Sequence, residues 1–264
     1  MQAIDREDLE LVVASLRSAG EIAREGYAAT PKSWEKSKGN PVTETDIAVD
    51  LHLKTLLCGT RADYGWLSEE TPDDHVRLSH DRIWIIDPID GTRAFISGVP
   101  AWGILLGLRD HDHCIGGLMH QPYLEETFTG SAAGGWWWRR GERRQLQTRA
   151  TGRLADAILY CTHPTIFPNA EELAAFEHVA AHTRLMRYGG DCYSYCLLAL
   201  GHIDLVIEGG LQPYDIQPLI PIIEAAGGVV TGRHGEDASG GGFVVAAANR
   251  ELHGAALARL AETR

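Results

Sequence analysis

Between residues 5 and 28, Leu9, Val12, Val13, Leu16, Ile22 and Ala23 recur at near-helical spacing with charges between them, which predicts an amphipathic first helix. The segment from 31 to 42, PKSWEKSKGNPV, is rich in Pro, Gly, Ser and Lys and reads as a loop. A second helix is expected to start near Thr45 or Asp46, either of which could cap it, and to run through IAVDLHLKTLL. Asp46 therefore belongs near a loop-to-helix junction. Ile83 to Ile86 form an apolar run that breaks into two carboxylates, Pro88 and Gly91, as a buried strand does at a functional edge. From Ala101 to Gly130, apolar runs alternate with turn signals, the pattern of a β-meander, and GGWWWRRGERRQLQTR reads as a further hairpin.

The second half switches to alternating elements. Strands are expected at AILYCT, RLMRYG and IDLVIEG, and helices over NAEELAAFEHVAAHT and CYSYCLLALG. YDIQPLIPIIEAAGG reads as one more apolar helix, with Gly227 and Gly228 suited to its C-cap, followed by strands at GVVTG and GFVVAAAN. There is no internal repeat and no linker long enough to separate independent domains. The expectation is one unit, 1–264, with a metal-binding half at 1–150 and a specificity-carrying half at 151–264.

Composition narrows the function classes. The chain has 264 residues, with 24 Lys plus Arg against 36 Asp plus Glu, a net charge of −12. Its length suits one large domain or two intimately packed subdomains with a sizeable core. The acidic balance argues against a sequence-independent binder of nucleic acid, whose affinity rests on Lys and Arg neutralising phosphates. An acidic enzyme can still hold phosphates through metal ions. The beginning lacks a basic region followed by an apolar run, and no stretch approaches a membrane span, so a cytoplasmic protein without membrane contact is expected. Cys58, Cys114, Cys161, Cys192 and Cys196 are an odd number without a CxxC pair, which suggests buried free thiols.

The chemistry is concentrated in DPIDGT, Asp87 to Thr92. Two carboxylates three residues apart, held by a proline at a strand end, can converge on one small volume, and such crowding is costly unless a cation neutralises it. Carboxylate oxygens select hard cations such as Mg²⁺, Mn²⁺ or Ca²⁺. Gly91 and Thr92 offer backbone N–H groups where an anion such as phosphate is favoured. Taken alone, the motif also fits a capped turn with no ligand. Three further acidic positions alter the balance: Glu69 and Glu70 follow the apolar pair Trp66 and Leu67, Asp46 sits at a helix start, and Asp215 heads an apolar helix. Each singly reads as a cap or surface charge, whereas together they offer ligands for two or more Mg²⁺ ions.

SEET, DPIDGT and PYD followed by EAAGG, in this order and over nearly the whole chain, resemble the inositol monophosphatase family of Mg²⁺-dependent phosphatases. The resemblance implies an α+β or α/β layered fold, alternating helix and sheet layers, and a homodimer. It implies two or three Mg²⁺ ions, with Mn²⁺ as a substitute. Glu69, Asp87 and the carbonyl of Ile89 would hold the first ion, Glu69 also aligning the attacking water, and Asp87, Asp90 and Asp215 the second. Thr92, bonded to Asp46, would help activate that water, and Gly91 and Thr92 would take phosphate oxygens. The physics agrees with this division: a phosphate monoester dianion repels hydroxide, and paired divalent ions both acidify a bound water and neutralise the departing alkoxide.

Within the family, the segment before the last metal ligand resembles the histidinol-phosphate phosphatase branch, with GGDCY at 189–193 and Tyr214 where inositol phosphatases commonly carry Trp. Histidinol phosphate presents an ammonium and an imidazole, so Asp191 and Glu208, beside Gly190, could pair with that cation. Asp191 could also cap the following helix and serve both purposes. L-histidinol phosphate is thus the expected small phosphate monoester substrate, in histidine biosynthesis. Alternatives are inositol 1-phosphate or another ester of the same family. A different class is a binding partner of the transcription machinery with secondary catalysis, for which only the Arg139 to Arg144 hairpin speaks.

Overall fold

A computed structural model describes residues 5–29, 31–37 and 40–263. Its first helix, α1 (Arg6–Ala28), buries Val12, Leu16, Ala19 and Ala23 along one stripe. The segment expected to be a loop is instead an antiparallel ribbon, β1 (Ser33–Ser37) and β2 (Asn40–Thr43), and its positions 38 and 39 lie outside the described residues. Pro41 is tolerated because a two-stranded ribbon always has a free edge for a residue lacking an N–H.

The next helix, α2 (Glu44–Thr60), corrects the expected cap. Thr43, not Thr45 or Asp46, is the N-cap: its hydroxyl accepts from the N–H of Thr45 and Asp46, while the Asp46 carboxylate accepts from Thr43 N at 2.9 Å. This reciprocal capping box needs an acid at the third helical position, and Asp46 occupies it.

The chain then builds β3 (Gly65–Ser68), β4 (Arg82–Asp90), the short α3 (Thr92–Ser97), and β5 (Gly103–Asp110). The meander and hairpin follow as β6 (His113–Gln121), β7 (Glu126–Ser131), β8 (Gly134–Arg139) and β9 (Glu142–Gln145). These seven strands form one sheet in chain order, antiparallel throughout except for β3 beside β4. That parallel register sets Ser68 opposite Ile86 and therefore brings Glu69 level with Asp87 of β4.

A second, five-stranded sheet uses β10 (Ile158–Cys161), β11 (Leu185–Tyr188), β12 (Leu205–Leu211), β13 (Val229–Gly232) and β14 (Gly242–Ala247) in the order β11-β10-β12-β14-β13. Its connections carry α4 (Ala170–Ala180), α5 (Asp191–Ala199), α6 (Pro213–Ile216) and α7 (Leu219–Ala225), and α8 (Arg250–Leu260) closes the chain. The single helix expected over 214–228 is two helices. Pro218 and Pro221 lack the N–H groups a continuous helix would need there, so the ladder breaks between Ile216 and Leu219. Gly227 and Gly228 do end it as expected, donating to Glu224 O and Ile223 O in a Schellman arrangement with Gly227 at φ 97°.

Three larger cores, beside a small fourth cluster around Leu67, Ile83 and Ile85, bind five layers. Apolar residues of α1 and α2 pack on one face of the seven-stranded sheet, through Trp84, Ile86, Ile104 and Leu106. The opposite face, with Leu105, Met119 and Phe128, packs against α5 and α7, which in turn cover Val206, Val244 and Ala246 of the five-stranded sheet. The far face of that sheet is covered by α4 and α8. The order is thus helix, sheet, helix, sheet, helix, the alternating layers implied by the sequence motifs. No helix among the described residues is long and apolar enough to cross a membrane.

Candidate active site

The site lies where β4 runs out of ladder. Between Asp87 and Asp90 the pairing with β5 is irregular, so the strand turns while its carboxylates stay together. Asp87 Oδ1 accepts the N–H of Ile89 at 3.0 Å, which curls the backbone back on itself. Gly91 follows at φ 83°, a left-handed conformation that L side chains rarely adopt. An added Cβ there would lie 3.1 Å from Asp191 Cβ and 3.2 Å from Trp102 Cα, so both backbone and space call for glycine.

A cavity of about 320 Å³ opens at this turn, and Glu69, Asp87, Ile89, Asp90, Gly91, Thr92, Asp191, Glu208 and Asp215 all line it. Asp46 and Gly190 do not. Asp46 stands behind Thr92, whose hydroxyl lies 3.4 Å from Asp46 Oδ1 and 3.2 Å from Ile89 O. Gly190 is the N-cap residue of α5, and a Cβ on it would lie 2.7 Å from Ser194 Cβ.

Oxygens of Asp87, Asp90 and Asp215 come within 4.8 Å of one another. Asp87 is buried and the other two are partly open to the cavity. Burial raises all three carboxyls, those of Asp87 and Asp215 well above the ordinary range, and like charges add to the effect: Glu69, Asp90 and Asp215 on Asp87, and Asp90 on Asp215. Hydrogen bonds oppose it in part, since Asp90 accepts the N–H of Cys192 at 2.8 Å and Asp215 that of Gln212 at 2.7 Å. Three crowded, desolvated carboxylates with no cation among them fit a hard divalent ion, which would offset the repulsion through oxygen ligands. Asp87, Asp90 and Asp215 would hold it.

Glu69 stands outside this closest trio. Lys36 on β1 reaches it, with Nζ 3.3 Å from Glu69 Oε1 and 2.6 Å from Glu70 Oε1. Burial lifts the Glu69 carboxyl to about 7 even though Lys36 opposes the shift. Nothing in the sequence reading pointed to Lys36, which sat in a segment read as loop. Arg93 and Thr162 of the cavity wall were also missed, although Arg93 directly follows DPIDGT.

On the other side of the cavity, α5 begins with Asp191 at φ 42°, in the left-handed region, an unusual position for a residue with a side chain. It does not cap the helix, which has no side-chain cap. Burial and the nearby Asp90 push its carboxyl up to about 7, against the pull of Arg93. Glu208 is buried and takes Thr162 N at 2.9 Å, the Thr162 hydroxyl at 2.5 Å and the Tyr195 hydroxyl at 3.1 Å. Burial still raises it to about 8. Tyr214 is not part of this cavity; it packs on Leu67, Ile83 and Ile85.

A profile of the inositol monophosphatase family matches residues 5–264. The chain is 34% identical over 252 residues to the chloroplastic bifunctional phosphatase IMPL2 of Arabidopsis thaliana, covering 92% of this chain and 72% of that one. It is 29% identical to a histidinol-phosphatase of Mycobacterium tuberculosis, covering 97% of this chain and 99% of the other. Among solved structures, an inositol monophosphatase from Zymomonas mobilis superposes with a TM-score of 0.86 at 32% identity, over 98% of this chain and 100% of that one.

Proposed function

The chain belongs to the inositol monophosphatase family, whose members are metal-dependent phosphatases acting on small phosphate monoesters, and we propose that it prefers L-histidinol phosphate, releasing L-histidinol and inorganic phosphate in histidine biosynthesis. The observation that carries this reading is Asp191. It is held in a left-handed backbone conformation, spent on no helix cap, beside Asp90 and Gly91 at the cavity wall. Strain of this kind costs of order 1–3 kcal/mol and persists where the surroundings hold it for a purpose. A carboxylate there suits an ammonium, and Glu208 adds a second acid on the same cavity.

In this reading Glu69, Asp87 and Ile89 O would hold one Mg²⁺, and Asp87, Asp90 and Asp215 would hold a second, with Mn²⁺ as a substitute. Bound divalent ions would acidify the attacking water and neutralise charge on the phosphate and the departing alkoxide. The N–H groups of Gly91 and Thr92 take phosphate oxygens at the start of α3. Thr92, whose hydroxyl donates a hydrogen bond to Asp46, can accept a hydrogen bond from the attacking water, and a proton taken from that water passes on to the Asp46 carboxylate. Asp46 is held for that task by Thr43, through the capping box. Glu69 aligns the water.

A second reading, hydrolysis of inositol 1-phosphate, is favoured by the bonding of Glu208. Its oxygens already accept from Thr162 and Tyr195, an arrangement that also suits a neutral hydroxyl. Phosphate release with Mg²⁺ separates the two: kcat/KM for L-histidinol phosphate is expected to exceed that for myo-inositol 1-phosphate, with no release in EDTA. The reverse preference overturns the substrate reading, and EDTA-insensitive release overturns the metal reading.

The homodimer is supported by Leu185 and Tyr188, 46% and 39% exposed on the edge strand β11, and sedimentation tests it. The five free thiols suit the reducing cytoplasm.

A further inference from the structure

A second hollow, of about 580 Å³, lies between α1 and the outer face of the seven-stranded sheet. It follows from how the layers overlap. The core beneath α1 and α2 draws on β3, β4, β5 and β6 but on nothing from β7, β8 or β9, so the sheet extends beyond its roof. On β8 the two-residue alternation turns Trp137 into the central core and leaves Trp136 and Trp138 on the opposite face, where α1 stands over them across the hollow. Val13, Leu16 and Leu118 complete the apolar wall, and Leu9 and Trp138 line it while remaining 40% exposed.

The charged groups that line this hollow share one sign, beside the neutral polar side chains of His120, Thr127, Thr129 and Ser131. Arg17 and Arg143 line it, and among the described residues no Asp or Glu does, although the chain carries 36 acids against 24 bases. Among the described residues neither arginine makes an ion pair, whereas Arg139 and Arg140 nearby pair with Glu126 and Glu125. The Arg143 guanidinium sits 3.4 Å from the centroid of Trp136 and 4.8 Å from that of Trp138. A guanidinium stacked on an aromatic face is held in place, yet its N–H edge stays available for a carboxylate or sulfonate. Thr127 and Thr129 on the floor add hydroxyls. The size, the apolar wall and the few convergent polar groups are those of a small-molecule site.

We propose that this hollow binds a small organic anion with a flat apolar ring system, the rings against the tryptophans and α1, and the anionic group on Arg143 and Arg17. It is distinct from the catalytic cavity. At Gly117 and Gly130, which line its floor, the backbone of the sheet alone separates it from α7: an added Cβ there would lie 1.8 Å from Pro218 O and 2.3 Å from Ile222 Cα.

The test titrates the full chain, in Mg²⁺, with anilinonaphthalene sulfonate and with its neutral analogue phenylnaphthylamine, following fluorescence. The sulfonate is expected to saturate one site and to bind roughly tenfold tighter than the neutral compound, a charge-assisted margin. That margin should vanish in the Arg17→Ala, Arg143→Ala double variant, and Val13→Trp, which fills the hollow, should abolish binding of both compounds. Saturating inorganic phosphate should leave binding unchanged. Equal affinity of the two compounds, displacement by phosphate, or undiminished binding to folded Val13→Trp protein would each overturn the proposal. Should Val13→Trp not fold, the margin in the arginine variant, both residues being exposed, decides the matter.

Discussion

The backbone N–H of Cys192 donates to Oδ1 of Asp90 at 2.8 Å across 102 positions of chain. This bond ties the start of α5 to the turn that carries the crowded carboxylates, so the two walls of the catalytic cavity are joined through the same acid that faces its centre. An asparagine at 90 could still accept the bond but would carry no charge.

For that reason Asp90→Asn is expected to fold and to lose turnover by about a thousandfold or more, as an interaction that neutralises developing charge is removed. In EDTA it should melt no lower than the parent, because one of the mutually repelling charges is gone. Retained activity, measured as phosphate release in Mg²⁺, would contradict the assignment of Asp90 to the metal.

Asp191→Asn separates substrate from machinery. The expected result is a KM for L-histidinol phosphate raised about tenfold, with a change under about twofold for an uncharged-alcohol phosphate, since only the first loses a charge-assisted contact. Equal losses on both esters would remove the pairing with the ammonium.

The pH dependence of stability has a definite sign. Glu69 and Asp191 are raised to about 7 and Glu208 to about 8, so each binds its proton more tightly folded than unfolded. The stabilisation they bring is full below about pH 4 and is lost as pH rises through 7 to 8. In EDTA, Tm should fall across pH 5 to 8. Mg²⁺ should raise Tm by more at pH 8 than at pH 5, because it compensates charges that appear only at the higher pH. A Tm in EDTA that stays level over this interval, followed by circular dichroism, would count against the burial of these acids.

Two glycines should respond to alanine with opposite signs. At Gly117 the new methyl would meet the carbonyl of Pro218, backbone that cannot swing aside, and a loss of about 2 to 3 kcal/mol is expected. Because α7 follows Asp215 closely, turnover should also need more Mg²⁺ to reach half its maximum. Gly59, inside α2 with nothing within 4 Å, should gain up to about 1 kcal/mol of stability on the same change. Urea unfolding of both variants checks the pair.

The elements and the acids that matter were legible in local pattern. Helix and strand periods, the turn signals between β5 and β9, and the Schellman glycines after α7 are each written within a dozen residues. The convergence of Asp87 and Asp90 was legible too, because a proline-held turn leaves two nearby carboxylates few other places to go. Local signals misled where two of them competed. Pro218 and Pro221 broke a segment whose apolar spacing read as one helix, and Thr43 took the cap from Thr45 because Asp46 could answer it from the third position.

Composition alone could not show that Lys36 reaches Glu69 and Glu70, 33 and 34 positions away, from a ribbon in a segment read as loop. Nor could it show that Asp191 faces Asp90 rather than capping α5, or that Trp136 and Trp138 line a hollow beneath α1 while Trp137 enters the core. The sequence by itself determined which side chains have the chemistry and where most of the helices and strands lie, because those depend on residue type and short-range spacing. Only the tertiary structure decided which of them meet, because meeting depends on how layers register and overlap, a property of the whole packed chain and of no single segment.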